Sequence, residues 1–145
     1  YSLGQKAKTV FEELIIDKSR ISQYELVTSE TFTSYGVCQF SFVKSINGFN
    51  TNDTLSIAID RDGKIKSYTG SRQGIFDNLT VNADRSDIEK FIDEKVNSRY
   101  KNQTVKYNVN SMTIDKKKNK FYIRCFVGVE TEEYITGDEY EYRLK

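Results

Sequence analysis

Two amphipathic helical patterns, each followed by strands of alternating polarity, constrain this chain more than any other feature. SLGQ (Ser2 to Gln5) and SDIE (Ser86 to Glu89) both fit a capping box, in which a serine oxygen accepts from a backbone N–H and a later Gln or Glu reaches back. After the first, Leu3, Ala7, Val10, Phe11, Leu14 and Ile15 fall on one helical stripe; after the second, Ile88, Phe91, Ile92, Val96 and Tyr100 do the same. Each helix therefore needs a surface to bury against, and the following segments supply it. Ser34 to Lys44 places Cys38, Phe40 and Phe42 on one side of a strand. Lys120 to Glu130 places Phe121, Ile123, Cys125, Val127 and Val129 on one side of another. Asp53 to Asp60 alternates Leu55, Ile57 and Ile59, and Asp138 to Lys145 alternates Tyr140, Tyr142 and Leu144.

Landmarks in the two halves recur at a nearly constant offset. Ser2 and Ser86 differ by 84, Tyr24 and Tyr107 by 83, Cys38 and Cys125 by 87, and Asp53 and Asp138 by 85. This spacing predicts an α+β fold of two helix-plus-antiparallel-sheet (αβββ) units related by internal duplication. The units are expected at residues 1–70 and 86–145, tightly associated, with a connector at 71–85 that could add an edge strand at Leu79 to Val81.

Composition narrows the function. The net charge is +1, from 22 basic and 21 acidic residues, so no global field draws the chain to nucleic acid or anionic lipid. No apolar run approaches the roughly 18 residues of a membrane-spanning helix. The chain starts at Tyr1 and its only methionine is Met112, so a processed form of a longer product is expected, with any membrane attachment through an anchor preceding Tyr1. Histidine is absent, which removes the commonest general base near neutral pH and the commonest zinc ligand. No catalytic, cofactor or metal site is expected.

The one segment with a metal-like look is DRDG, Asp60 to Gly63. A calcium loop needs oxygen ligands at alternating positions and an acidic residue closing the loop, yet no acidic residue follows Asp62 until Asp77. A hairpin accounts for more: LSIAI enters, the glycine supplies a positive φ, and KIKSY returns.

Taken together, Phe42, Asn47, Gly48, Asp53, Asp60, Gly63, Ser67 and Tyr68 follow an order of aromatic strand, NG turn, Asp-bearing loop, strand, Gly turn and strand ending in SY. The order resembles PepSY-like and YcdB-type domains of Gram-positive secreted or membrane-anchored proteins. It covers residues 1–70 reasonably and 86–145 only loosely, since the second half lacks the NG turn and stops before a Gly hairpin. The resemblance implies a cystatin-like arrangement of helix on curved sheet, a location outside the cytoplasm as a secreted protein or lipoprotein, and a non-catalytic role that includes regulation of peptidases.

Several clusters invite a chemical reading. Cys38 and Cys125 lie on apolar strand faces, where they fit buried thiols; a disulfide remains open, and no histidine is present to activate either as a nucleophile. DKKKNK, Asp115 to Lys120, reads as a solvated hairpin tip, with contact to an anionic polymer or lipid head group as the sharper alternative. Glu130, Glu132, Glu133, Asp138, Glu139 and Glu141 could pair carboxylates for acid–base work, but alternation puts Glu139 and Glu141 opposite Tyr140 and Tyr142, toward solvent. Phe49 and Tyr134, at an offset of 85, each fall in a loop before a strand and would anchor a partner if exposed; otherwise they cover the core edge.

The expected function is a non-enzymatic extracytoplasmic binding or regulatory module for a protein, peptide or cell-wall polymer. Its rivals are an NTF2-like enzyme or ligand carrier, whose continuous sheet would enclose a pocket of convergent polar groups, and a purely structural segment of a surface protein.

Overall fold

The computed structural model describes residues 2–15, 17–28, 32–71 and 74–145. Tyr1 and residues 16 and 29–31 of the expected first unit, and residues 72–73 of the expected connector, lie outside the described residues. The fold is α+β. Among the described residues the elements run α1 (Leu3–Leu14), a 3-10 helix (Lys18–Gln23), β1 (Tyr24–Thr28), β2 (Val37–Ile46), β3 (Phe49–Asp60), β4 (Ile65–Ser71), α2 (Arg85–Arg99), β5 (Lys106–Lys117), β6 (Lys120–Glu130) and β7 (Ile135–Arg143). The chain divides into two compact units, one comprising residues up to Ile46 with Thr51–Asn78, the other Asn47–Asn50 with Leu79–Lys145.

In the first unit Ser2 caps α1 as expected: its side chain accepts from the Gln5 N–H, and the Gln5 side chain accepts from the Ser2 N–H. The apolar stripe of α1 then buries Ala7 and Phe11 against Cys38, Phe40 and Phe42 of β2 and Leu55, Ile57 and Ile59 of β3. The Phe11 and Phe42 rings stack at 4.2 Å with their planes 8° apart, while Tyr24 meets Phe11 edge-on at 5.3 Å. β1 pairs antiparallel with β2, and β4 with β3. β1 is a strand that the alternation did not reveal, because YELVT exposes Leu26 and Val27 instead of burying every second residue.

DRDG turns the chain between β3 and β4. Gly63 sits at φ +83°, and Asp60 Oδ1 accepts from the N–H groups of Asp62 and Lys64 at 2.9 Å each. Its other oxygen lies 3.6 Å from Lys66 Nζ, so the carboxylate serves the hairpin.

The second unit begins differently from the reading of SDIE. Asp84, not Ser86, is the N-cap of α2: its carboxylate accepts from the Asp87 N–H at 3.0 Å, and the Asp87 carboxylate accepts from the Asp84 N–H at 3.1 Å. A carboxylate is as good a cap as a hydroxyl, and it starts the helix two residues earlier. The four landmark pairs therefore do not include equivalent caps. Ile88, Ile92, Val96 and Tyr100 are buried, as are Met112, Ile114, Ile123, Cys125, Val127 and Val129 of the antiparallel β5–β6–β7 sheet. No edge strand forms at Leu79 to Val81, where the backbone has neither helix nor ladder. No helix among the described residues is long and apolar enough to cross a membrane.

Candidate functional site

Period-two alternation carries Asp53 inward on β3, in line with Leu55, Ile57 and Ile59, and it is fully buried. A carboxylate there requires donors. The Tyr24 hydroxyl donates to Oδ1 at 2.7 Å, and the Gly74 N–H donates to Oδ2 at 3.3 Å. Thr51, also buried, accepts from the Asp53 N–H at 3.1 Å and donates to the Lys44 carbonyl at 2.9 Å. Lys44 is 5% exposed and places Nζ 3.0 Å from Asp77 Oδ1, while Arg20 holds the other Asp77 oxygen. Burial first, then the hydrogen bond to Asp53, pushes the Tyr24 phenol well above its ordinary range. The cluster ties β1 and the 74–78 segment to the first unit's sheet. Every polar group in it has a partner inside that unit.

The second unit repeats the theme with a different tyrosine. Asp138 on β7 is 6% exposed and accepts from the Tyr100 hydroxyl at 2.6 Å and the Tyr140 hydroxyl at 3.1 Å. Arg99 Nη1 lies 3.5 Å from its other oxygen. The hydrogen bond to Asp138, reinforced by burial, pushes the Tyr100 phenol up to about 12. At neutral pH it keeps its proton, and with it the bond.

Of the remaining candidate acids, Glu139 and Glu141 lie on the face of β7 opposite Asp138, Tyr140 and Tyr142, as alternation requires, while Glu130 ends β6 and Glu132 and Glu133 sit in the turn before β7. Glu139 accepts from Arg124 Nε at 2.8 Å, and Arg124 Nη1 reaches Asp115 at 3.2 Å. Lys117 lies 3.7 Å from Glu141. These are cross-strand charge ladders that match β5, β6 and β7 to one another. DKKKNK forms the tip of the β5–β6 hairpin, with Lys118 at φ 51° and Asn119 at φ 65° making the turn. Cys38 and Cys125 are free thiols, both buried. Burial pushes the Cys125 thiol up to about 11, which suppresses the thiolate that nucleophilic or redox chemistry needs.

Phe49 and Tyr134 part company. Phe49 is 2% exposed, with the Arg85 guanidinium 5.7 Å from its ring centre. The Asn47 amide beside it donates to the carbonyls of Val81 and Ala83 at 3.1 and 3.3 Å. Phe49, the first residue of β3, is therefore buried, and its reading as a partner anchor, which required exposure, is corrected. Tyr134 is 47% exposed. It ends a tight turn in which Thr131 Oγ1 accepts from the N–H groups of Glu133 and Tyr134 at 3.2 and 3.1 Å, and the Thr131 N–H donates back to the Tyr134 carbonyl at 2.9 Å.

That turn meets the loop after α2 across an open cleft of about 520 Å³, lined by Asn102, Gln103, Thr104, Glu132, Glu133 and Tyr134. Ile135 follows, 80% exposed, and Phe126 stands 43% exposed on the solvent face of β6. Phe126 was legible as an outward residue, since Cys125 and Val127 on either side point in. The meeting of residues 102–104 with 132–134 has no signature in the sequence, because it depends on where α2 ends. Comparison with protein-family models, curated proteins and solved structures finds no match to this chain.

Proposed function

We propose that this chain is a non-enzymatic binding or regulatory module that works outside the cytoplasm, akin to PepSY-like and YcdB-type domains. In this reading it is built by duplication of one helix-plus-sheet unit in a cystatin-like manner. Three features support the duplication: Tyr24 and Tyr107 near the starts of β1 and β5, buried Cys38 and Cys125 on β2 and β6, and buried Asp53 and Asp138 on β3 and β7, each aspartate accepting from a tyrosine hydroxyl. β4 and its glycine turn belong to the first unit alone, which agrees with the looser resemblance of the second half.

The observation that carries the binding role is the exposure of Tyr134 in an open cleft of the second unit lined by Glu132 and Glu133, with exposed Ile135 next to it in the chain. Aromatic residues so placed are favoured anchors for a protein or peptide partner. The buried carboxylates, by contrast, are spent on holding each unit together. The test is capture of a partner from culture supernatant and cell-wall extract by the purified protein and by Tyr134→Ala. Loss of the captured partner with Tyr134→Ala is expected; equal recovery by both proteins would end the reading of this surface as the anchor.

A further inference from the structure

We infer that the free edge of β7 receives an extended, cationic peptide as an added strand of the second unit's sheet. This inference rests on the binding-module reading and names the partner class for the same surface. β7 pairs with β6 from Ile135 to Arg143 and with no other strand among the described residues. Alternate residues of such an edge aim N–H and C=O groups away from the sheet, a ready template for another backbone.

The leading end of this edge is apolar and open: Tyr134 and Ile135 are exposed, and at Gly137 a Cβ would meet nothing within 4 Å. It is also acidic. Glu132 and Glu133 sit in the turn and Glu130 lies opposite Ile135, and none of the three takes part in an ion pair among the described residues. Farther along, Glu139 and Glu141 are already matched by Arg124 and Lys117. Lys106 faces Glu130 across the β5–β6 ladder, so the excess rests on Glu132 and Glu133; with the whole chain at +1 it is local, and it selects a cation at the Ile135 end. A lysine or arginine entering the cleft meets two carboxylates and the Tyr134 residue that line it.

A second copy serves less well as occupant: centred antiparallel pairing of two β7 edges sets Glu139 against Glu139 and offers Arg143 as the one basic residue of β7 toward the Ile135 end. The partner of stated chemistry is thus an extended segment that alternates lysine or arginine with small apolar residues.

The probe is a fluorescent peptide of alternating lysine and valine, as long as β7, followed by anisotropy. Its controls carry glutamate for lysine, or methyl groups on alternate backbone nitrogens. The lysine peptide is expected to bind at least about tenfold more tightly than either control and to weaken with salt and with the E132Q/E133Q variant. No binding, equal binding of all three peptides, or binding unmoved by E132Q/E133Q overturns the proposal, as does concentration-dependent dimerisation of the protein alone through β7. In the capture experiment, a partner lost with Tyr134→Ala but not displaced by the lysine peptide overturns the docking edge and leaves the binding-module reading standing. Capture of nothing overturns that reading itself.

Discussion

The Tyr24 hydroxyl donates to the buried carboxylate of Asp53 across 2.7 Å, and the hydroxyl of Tyr100 does the same for Asp138 across 2.6 Å. The two bonds are alike in length but not in insurance. Among the described residues, Asp53 keeps the longer Gly74 contact when its tyrosine is removed, whereas Asp138 keeps Tyr140 and Arg99. Tyr24→Phe is expected to destabilise by about 1–3 kcal/mol, the cost of under-satisfying a buried carboxylate, and Tyr100→Phe by less. Urea unfolding of the two variants beside the wild type checks the order; a larger loss for Tyr100→Phe would contradict it.

Alkaline pH probes the same bonds. Tyr24 and Tyr100 both have folded-state pKa values raised above the unfolded one of about 10, and Tyr100 reaches about 12. A group shifted upward contributes stability that is present in full below its unfolded pKa and lost as pH climbs toward its folded pKa. Cys125, raised to about 11 by burial, acts in the same sense from a lower starting point. Stability should therefore fall from about pH 9 upward, steepening above about pH 10. Tyr100→Phe should flatten the upper part of the decline, and a urea midpoint followed against pH for both proteins shows whether it does.

Thiol chemistry gives a third expectation. Cys38 is 2% exposed and Cys125 fully buried, so neither should react with Ellman's reagent in the folded protein, and both should react in urea. A rapidly reacting thiol in the native state would mean that one unit opens locally far more often than its packing implies.

Two hairpin turns should respond to substitution with opposite signs. Gly48 sits at φ +82° with nothing within 4 Å of where a Cβ would stand, so Gly48→Ala is penalised by backbone conformation alone, by about 1 kcal/mol. Lys118 occupies the corresponding left-handed conformation at φ 51° without being glycine, and Lys118→Gly should stabilise by up to about 1 kcal/mol. Thermal melts of the two variants separate the cases. Shifts of the same sign would show that side-chain contacts, not φ, govern these turns.

The strongly periodic parts of this chain were legible because burial on one face forces a pattern: β6 occupies the span that alternation marks, and the α1 stripe buries where it should. What escaped was fixed by something other than period. β1 is a short edge whose side chains are half in solvent, so its alternation carries no apolar signal. The cap of α2 lies at Asp84 because a carboxylate two residues upstream competes with Ser86, and local spacing alone does not rank the two. The cleft beside Tyr134 joins residues about 30 positions apart, and only the folded unit brings them together. Phe49 and Tyr134 look equivalent in the sequence, yet tertiary packing buries one and leaves the other exposed.

That divergence sets the control on which the functional test depends. Phe49 is buried, with Arg85 over its ring, so Phe49→Ala removes a packed aromatic and should cost about 3–5 kcal/mol. Any loss of partner capture by that variant would be indistinguishable from unfolding. Tyr134 is half in solvent, and its own side chain makes no hydrogen bond among those described; the turn is closed by its backbone and by Thr131. Tyr134→Ala should therefore change stability by no more than about 0.5 kcal/mol. Measured by urea unfolding before any binding experiment, a near-neutral Tyr134→Ala makes a lost partner a statement about recognition. A cost as large as that of Phe49→Ala would instead make Tyr134 a structural residue, and the exposed end of β7 would have to bind through Ile135 and the carboxylates alone.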